Sequence, residues 1–190
     1  MLKLIKLWEH PKNSILFINL VIGIVLLYLE SIMISIALSS IYWLNSDSAF
    51  AAFIFPQQRL LTIYEGWGPS GIELEIIHTY WDFLFIIGYV LALFSFFLLI
   101  SRKIFKQVHR LSIWMSFTPL IAGFFHIIKN IGLLITLYNY LSFATSIPLI
   151  IPISAMLTFG FLFAGILYFI VIAITYIVVK IGNAAFPDKK

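Results

Sequence analysis

The chain has 190 residues, of which 62% are hydrophobic and 11% charged, whereas an ordinary soluble domain is about 45–50% apolar and about 25% charged. With a mean hydropathy of +1.06, this excludes a water-soluble globule, and the length is better counted in membrane spans of about 20 residues each. The absence of cysteine excludes disulfides, thiolate metal or iron–sulfur sites, cysteine nucleophiles and the small four-helix membrane oxidoreductases that work through cysteine pairs; the net charge of +4 lies in short segments beside apolar runs, a topological pattern and not a nucleic-acid footprint.

Taken in chain order, the first apolar run covers about residues 15–43 and contains one acid, Glu30. It is too long for a signal-peptide core and reads as a retained helix. The connection 45–75 is the longest non-spanning piece. Its FAAFIFPQQRLLTIYEGWGPSGIELEI alternates aromatic and polar residues, which predicts a short interfacial helix followed by a tight turn at GWGPSG. Such a segment either caps the bundle or serves as a binding lid.

The second span is predicted at 76–100 and ends in the basic stretch SRKIFKQVHR. The third is predicted at 111–140, with Pro119 and Gly123 flattening or kinking it. The fourth is predicted at 151–179, after LSFATSIPLIIP, whose prolines disfavour a continuous helix. On the fourth helix Gly160, Ala164 and Gly165 form a small-residue face suited to close helix packing.

The expected fold class is therefore all-α: a single polytopic membrane domain over residues 1–190, four transmembrane helices in a bundle, with a structured extracytoplasmic loop between helices 1 and 2. Ten of the twelve Lys and Arg fall at Lys3, Lys6 and Lys12, at Arg102, Lys103, Lys106 and Arg110, and at Lys180, Lys189 and Lys190. An even number of spans puts these groups on one side, and the positive-inside rule makes that side cytoplasmic, with both termini on it. Tyr42 and Trp43, Tyr80 and Trp81, and Tyr138 and Tyr140 fall near the outer ends, where amphipathic rings favour the interface.

Ionisable groups inside a span are costly and so point to function. Here they are Glu30 in the first helix, His78 and Asp82 in the second, and His126 and Lys129 in the third, with Asn130 adjacent. His126, Lys129 and Asn130 share one helical stripe, and His78, Asp82 and Tyr89 share another. Counted inward from outer ends near residues 43, 76 and 139, Glu30 and His126 lie about 20 Å deep, Lys129 about 15 Å, Asp82 about 9 Å and His78 about 3 Å. This count pairs Glu30 with His126 and Asp82 with Lys129. The depth mismatch of about 17 Å between His78 and His126 argues against a bis-histidine haem. No spacing is diagnostic of a metal, so neither a cofactor nor a metal is expected.

The run GWGPSGIELEIIHTYWDFLFIIGYVLALF, followed by FTPLIAGFFHIIKNIGLL, resembles a family of small uncharacterised four-helix membrane proteins. In that family a Gly-rich turn and an Asp-bearing second helix precede a third helix with an Asp-x-x-Glu-Asn-like signature. The resemblance covers residues 64–135 and implies that Asp82 is the second-helix acid and His126, Lys129 and Asn130 the third-helix polar triplet. His and Lys replacing acids favour an Asp82–Lys129 ion pair. A looser likeness is to the four-span sterol-isomerase and sigma-2-like proteins, whose local motifs are absent here.

Three functional readings follow. The leading one is a non-enzymatic or accessory membrane protein in which Glu30, Asp82, His126, Lys129 and Asn130, with His78 and Tyr89 as secondary members, organise the bundle and hold a lipid-like ligand or a partner subunit. The second is an enzyme or carrier for a small hydrophobic molecule, with Asp82 or Glu30 exchanging a proton and Lys129 stabilising negative charge. The third is a subunit of a respiratory or transport complex. The partners these readings imply are membrane lipids, a hydrophobic small molecule or other membrane subunits, and not nucleic acid.

Overall fold

A computed structural model describes residues 10–39, 57–103, 109–141 and 146–185. Among them are five helices and no strand: α1 (Asn13–Ser39), α2 (Gln57–Ser101), α3 (His109–Met115), α4 (Thr118–Tyr138) and α5 (Ile147–Ala185). Four stretches are helical, long and apolar enough to cross a membrane: one in α1, one in α2, one in α3 and α4 together, and one in α5. Inside lipid every backbone N–H and C=O must be paired within its own segment, a condition the helix meets. The chain is an all-helical, multi-pass integral membrane protein. Tyr42, Trp43 and the FAAFIF segment lie outside the described residues.

Two helices differ from the expected ones at places where a single backbone position decides. The GWGPSG segment is not a tight turn. It stays helical except at Gly68, whose φ of 64° and ψ of −179° break α2 into limbs 57–67 and 69–101. Glycine alone enters that region without a Cβ clash, and Pro69 then opens the second limb, where a missing N–H is tolerated. The second span therefore begins well before residue 76. The third is not continuous over 111–140 either: the chain turns at Ser116 and Phe117, and Pro119 sits in the first turn of α4, not in a helix interior. There the Thr118 hydroxyl donates to the Met115 carbonyl at 2.8 Å. The fourth helix starts at Ile147 and runs to Ala185, beyond both predicted ends.

Packing follows from which faces carry small or polar residues. Gly23 of α1 meets Gly88 and Ala92 of α2 backbone to backbone: a Cβ at Gly23 would lie 2.6 Å from the Ala92 nitrogen and the Gly88 carbonyl oxygen. Small residues permit this approach, which in lipid substitutes for a hydrophobic drive between helices. Pro119, Ala122, Gly123, His126 and Asn130 are buried on α4, at the i, i+3, i+4 spacing of one helical face. Gly123 receives Val90 of α2, and Gly132 receives Ile151 of α5. The principal contacts run α1 to α2, α2 to α4 and α4 to α5, so α2 and α4 are central and α1 and α5 flank them.

The two ends of the bundle close differently. At one end the limb 57–67 folds over α4: Leu60 and Tyr64 are buried against Ile72 and Leu137. Thr136 Oγ1 donates to the Leu133 carbonyl, so the Tyr64 hydroxyl, 2.8 Å away, donates to Thr136. At the other end Arg102 Nη1 donates to Asn13 Oδ1 at 2.5 Å. Ser101 meets Ser116 at 3.1 Å, and Ser112 meets Tyr168 at 2.8 Å, tying α2, α3 and α5 together with hydroxyls.

Candidate functional site

The second limb of α2 and the buried face of α4 run antiparallel, and between them stand the ionisable residues. Asp82 Oδ2 is 3.0 Å from His126 Nε2 and 3.1 Å from Lys129 Nζ. Lys129 Nζ is in turn 2.9 Å from His126 Nε2. Behind the imidazole, Tyr89 stacks at a centroid distance of 5.9 Å, its hydroxyl 3.4 Å from Nδ1, and Phe85 presents an edge. Side-chain exposure is 15% for both Asp82 and Lys129 and 8% for His126.

These distances restrict where the protons lie. An ammonium has three donors and no acceptor, and a neutral imidazole has one of each. If Nδ1 carries the hydrogen, Lys129 donates both to Asp82 and to His126 Nε2, while Nδ1–H points at the Tyr89 oxygen. If Nε2 carries it, His126 and Lys129 both donate to the same carboxylate oxygen, and two donors face each other at 2.9 Å. The first arrangement sets two acceptors, Nε2 and Asp82 Oδ2, 3.0 Å apart, and the second lets the Tyr89 hydroxyl donate to Nδ1, so each satisfies three contacts and leaves one opposed pair. One carboxylate oxygen collects both partners because α4 presents His126 and Lys129 one turn apart on the face that meets α2.

The remaining predicted residues occupy distinct places. Glu30 does not pair with His126: it is buried on α1 at 6% exposure, and among the described residues it makes no salt bridge. The ionisable groups whose charges act on it are Asp82 and His78. His78 stands apart from the triad, with Nδ1 3.3 Å from Glu75 Oε2. Asn130 is fully buried; it lies near Asp82, but its amide meets no partner at hydrogen-bonding geometry.

The depth count misplaced Asp82 because it started at residue 76. From Pro69, where the limb opens, Asp82 is about 20 Å along the helix, level with His126. Sequence reasoning also passed over Glu75, whose signal was its i, i+3 relation to His78, and the Tyr64–Thr136 hydroxyl pair, for which no local signal exists. Among the described residues no three His, Asp or Glu side chains converge closely enough to hold a metal ion.

No known protein family, curated protein or solved structure matches the chain. The likeness over residues 64–135 therefore supplies no family assignment, and the reading of the site rests on its geometry.

Proposed function

We propose that this is an accessory integral membrane protein, non-enzymatic, in which Asp82, His126 and Lys129 fasten α2 to α4 and organise the bundle among membrane lipids. The observation that carries the reading is the single oxygen of Asp82 engaged by both His126 and Lys129 within 3.1 Å. The charges are answered inside the cluster, and the Asp82–Lys129 bond that crosses between hairpins α1–α2 and α4–α5 is ionic. Breaking one partner of a buried pair leaves an uncompensated charge, whereas removing both does not.

The test is a double-mutant cycle. Asp82→Asn and Lys129→Met should each lower unfolding stability in mild detergent by about 3 kcal/mol, and the double variant should lose much less than the sum. Additive losses, or singles that melt with the wild type, contradict the fastening role. Mass spectrometry of small molecules and proteins co-purifying with the wild type and both variants completes the experiment. A compound retained by the wild type alone would replace this reading with that of a ligand carrier.

The fastening reading includes an orientation, with both termini on the cytoplasmic side. It is supported by the positions of the cations and by the Arg102–Asn13 contact, which puts the start of α1 and the end of α2 at the same end of the bundle. Reporter fusions that work only in the cytoplasm should be active after residue 103 and after residue 190, and inactive in the 45–56 segment.

A further inference from the structure

The two contact faces of α2 lie on nearly opposite sides of it. Gly88 and Ala92 meet Gly23 of α1, and Ile86 and Val90 meet Gly123 of α4. With 3.6 residues per turn, two flanks remain between those faces. One carries Tyr80 and Ile87, both exposed; the other carries His78, Asp82, Phe85 and Tyr89. On α4 the exposed flank is Phe124, Ile127, Ile131, Ile135 and Tyr138. Lys129 lies opposite, between the face that meets α2 and the face where Ala122 and Gly132 meet Thr158 and Ile151 of α5. The row of helices is therefore bent, and its ionisable residues share the concave side.

That side has a floor and a graded opening. Ile86, Tyr89 and Ala122 are buried together, with Leu27 of α1 and Phe161 and Leu162 of α5 packed against them, so all four spans close it at this level. Toward the end that bears limb 57–67, side-chain exposure rises from 8% at His126 to 15% at Asp82 and Lys129 and 35% at His78. None of these four lies on a lipid-facing flank, and charged side chains within a span face either protein or a water-filled cavity. Their polar capacity is only part used: among the described residues Asp82 bonds through Oδ2 alone, and Lys129 through at most two of its three donors. Glu30 stands one turn outward from Leu27, within the fields of Asp82 and His78, and makes no salt bridge among the described residues; protonated or ionised, a carboxyl seeks polar partners. We propose that the concave side is a one-sided aqueous vestibule, which admits water and small hydrophilic solutes from the end bearing Glu75 and His78 down to Asp82, Lys129 and Glu30 and stops them at the Tyr89 floor. This goes beyond the fastening role, since a bond between α2 and α4 places no requirement on what fills the space beside it.

The chain contains no cysteine, so single cysteines can be read one at a time with a trimethylammonium methanethiosulfonate, which modifies thiolates in water and not thiols in hydrocarbon. In the full chain reconstituted in lipid vesicles, His78→Cys and Glu30→Cys should react about tenfold or more faster than the lipid-facing Ile87→Cys and Leu29→Cys, although Leu29 is far more exposed than its neighbour Glu30. Phe85→Cys, on the concave flank of α2, repeats the deep reading if Glu30→Cys does not fold. In vesicles with unequal insertion, the fraction of Glu30→Cys labelled from outside should equal that of Gly66→Cys, exposed at the limb end, and not that of Lys103→Cys, exposed at the Arg102 end. If the concave positions are as inert as the lipid-facing ones, hydrocarbon or side chains fill that side and the proposal is overturned. Reaction at His78→Cys with inert Glu30→Cys and Phe85→Cys overturns the reach to Asp82, and labelling that follows Lys103→Cys overturns the floor.

Discussion

At Gly23 a hydrogen in place of a side chain decides how near α1 comes to α2. A Cβ there would overlap the Ala92 nitrogen, the Gly88 carbonyl oxygen and the Ala92 Cβ at 2.6, 2.6 and 2.9 Å, all of them backbone or the stub of a side chain, with no flexible end to yield. Gly23→Ala should therefore destabilise the chain by about 1–3 kcal/mol, measured by equilibrium unfolding in detergent. Gly160 is the control, since a Cβ there meets nothing within 4 Å and alanine is the better helix former by about 1 kcal/mol; Gly160→Ala should be neutral or stabilising. The buried Tyr64 hydroxyl offers a third test. Tyr64→Phe removes the donor to Thr136 and should lower stability by about 1 kcal/mol, with the ring still packed against Leu137.

Single elements show where the sequence was readable. The four spans could be read from apolar run length because lipid demands about 20 apolar residues per crossing, and Asp82, His126 and Lys129 stood out because charges are rare in such runs. Helix starts were obscured because apolar runs mark where lipid begins, not where a helix begins. GIELE is polar yet helical, so the second limb of α2 opens seven residues before the apolar run at 76, and the depth of Asp82 shifted with it. Small-residue contacts were half readable. On α5 the anticipated Gly160–Ala164–Gly165 face divides, with Gly165 against Thr118 and Phe97 and Gly160 in the open, whereas Gly23 against Gly88 needs two helices seen together. At the break in α2, Gly68→Ala should cost about 1–3 kcal/mol, the penalty of a backbone region that only glycine adopts freely. A melting curve unchanged by that substitution would mean that limb 57–67 redocks with a different bend.

At the scale of the whole molecule the helices form a line of contacts: α1 leans on α2, α5 leans on α4, and the two pairs meet along the α2–α4 seam. Exposed apolar side chains cover the outer faces, among them Phe17, Tyr28, Phe163 and Val178, and a bilayer solvates them without a protein partner. The seam carries both the Gly123–Val90 contact and the ionic triad.

That division matters during synthesis. A ribosome delivers α1 and α2 to the membrane before α4 exists, so the first hairpin must reside there with Asp82 unanswered, and the second must enter carrying Lys129 with no counter-ion of its own. The partners that engage Asp82 arrive only when the late hairpin docks. An early hairpin left waiting by a stalled or truncated chain thus carries the Asp82 carboxylate in the membrane without the side chains of α4 that engage it.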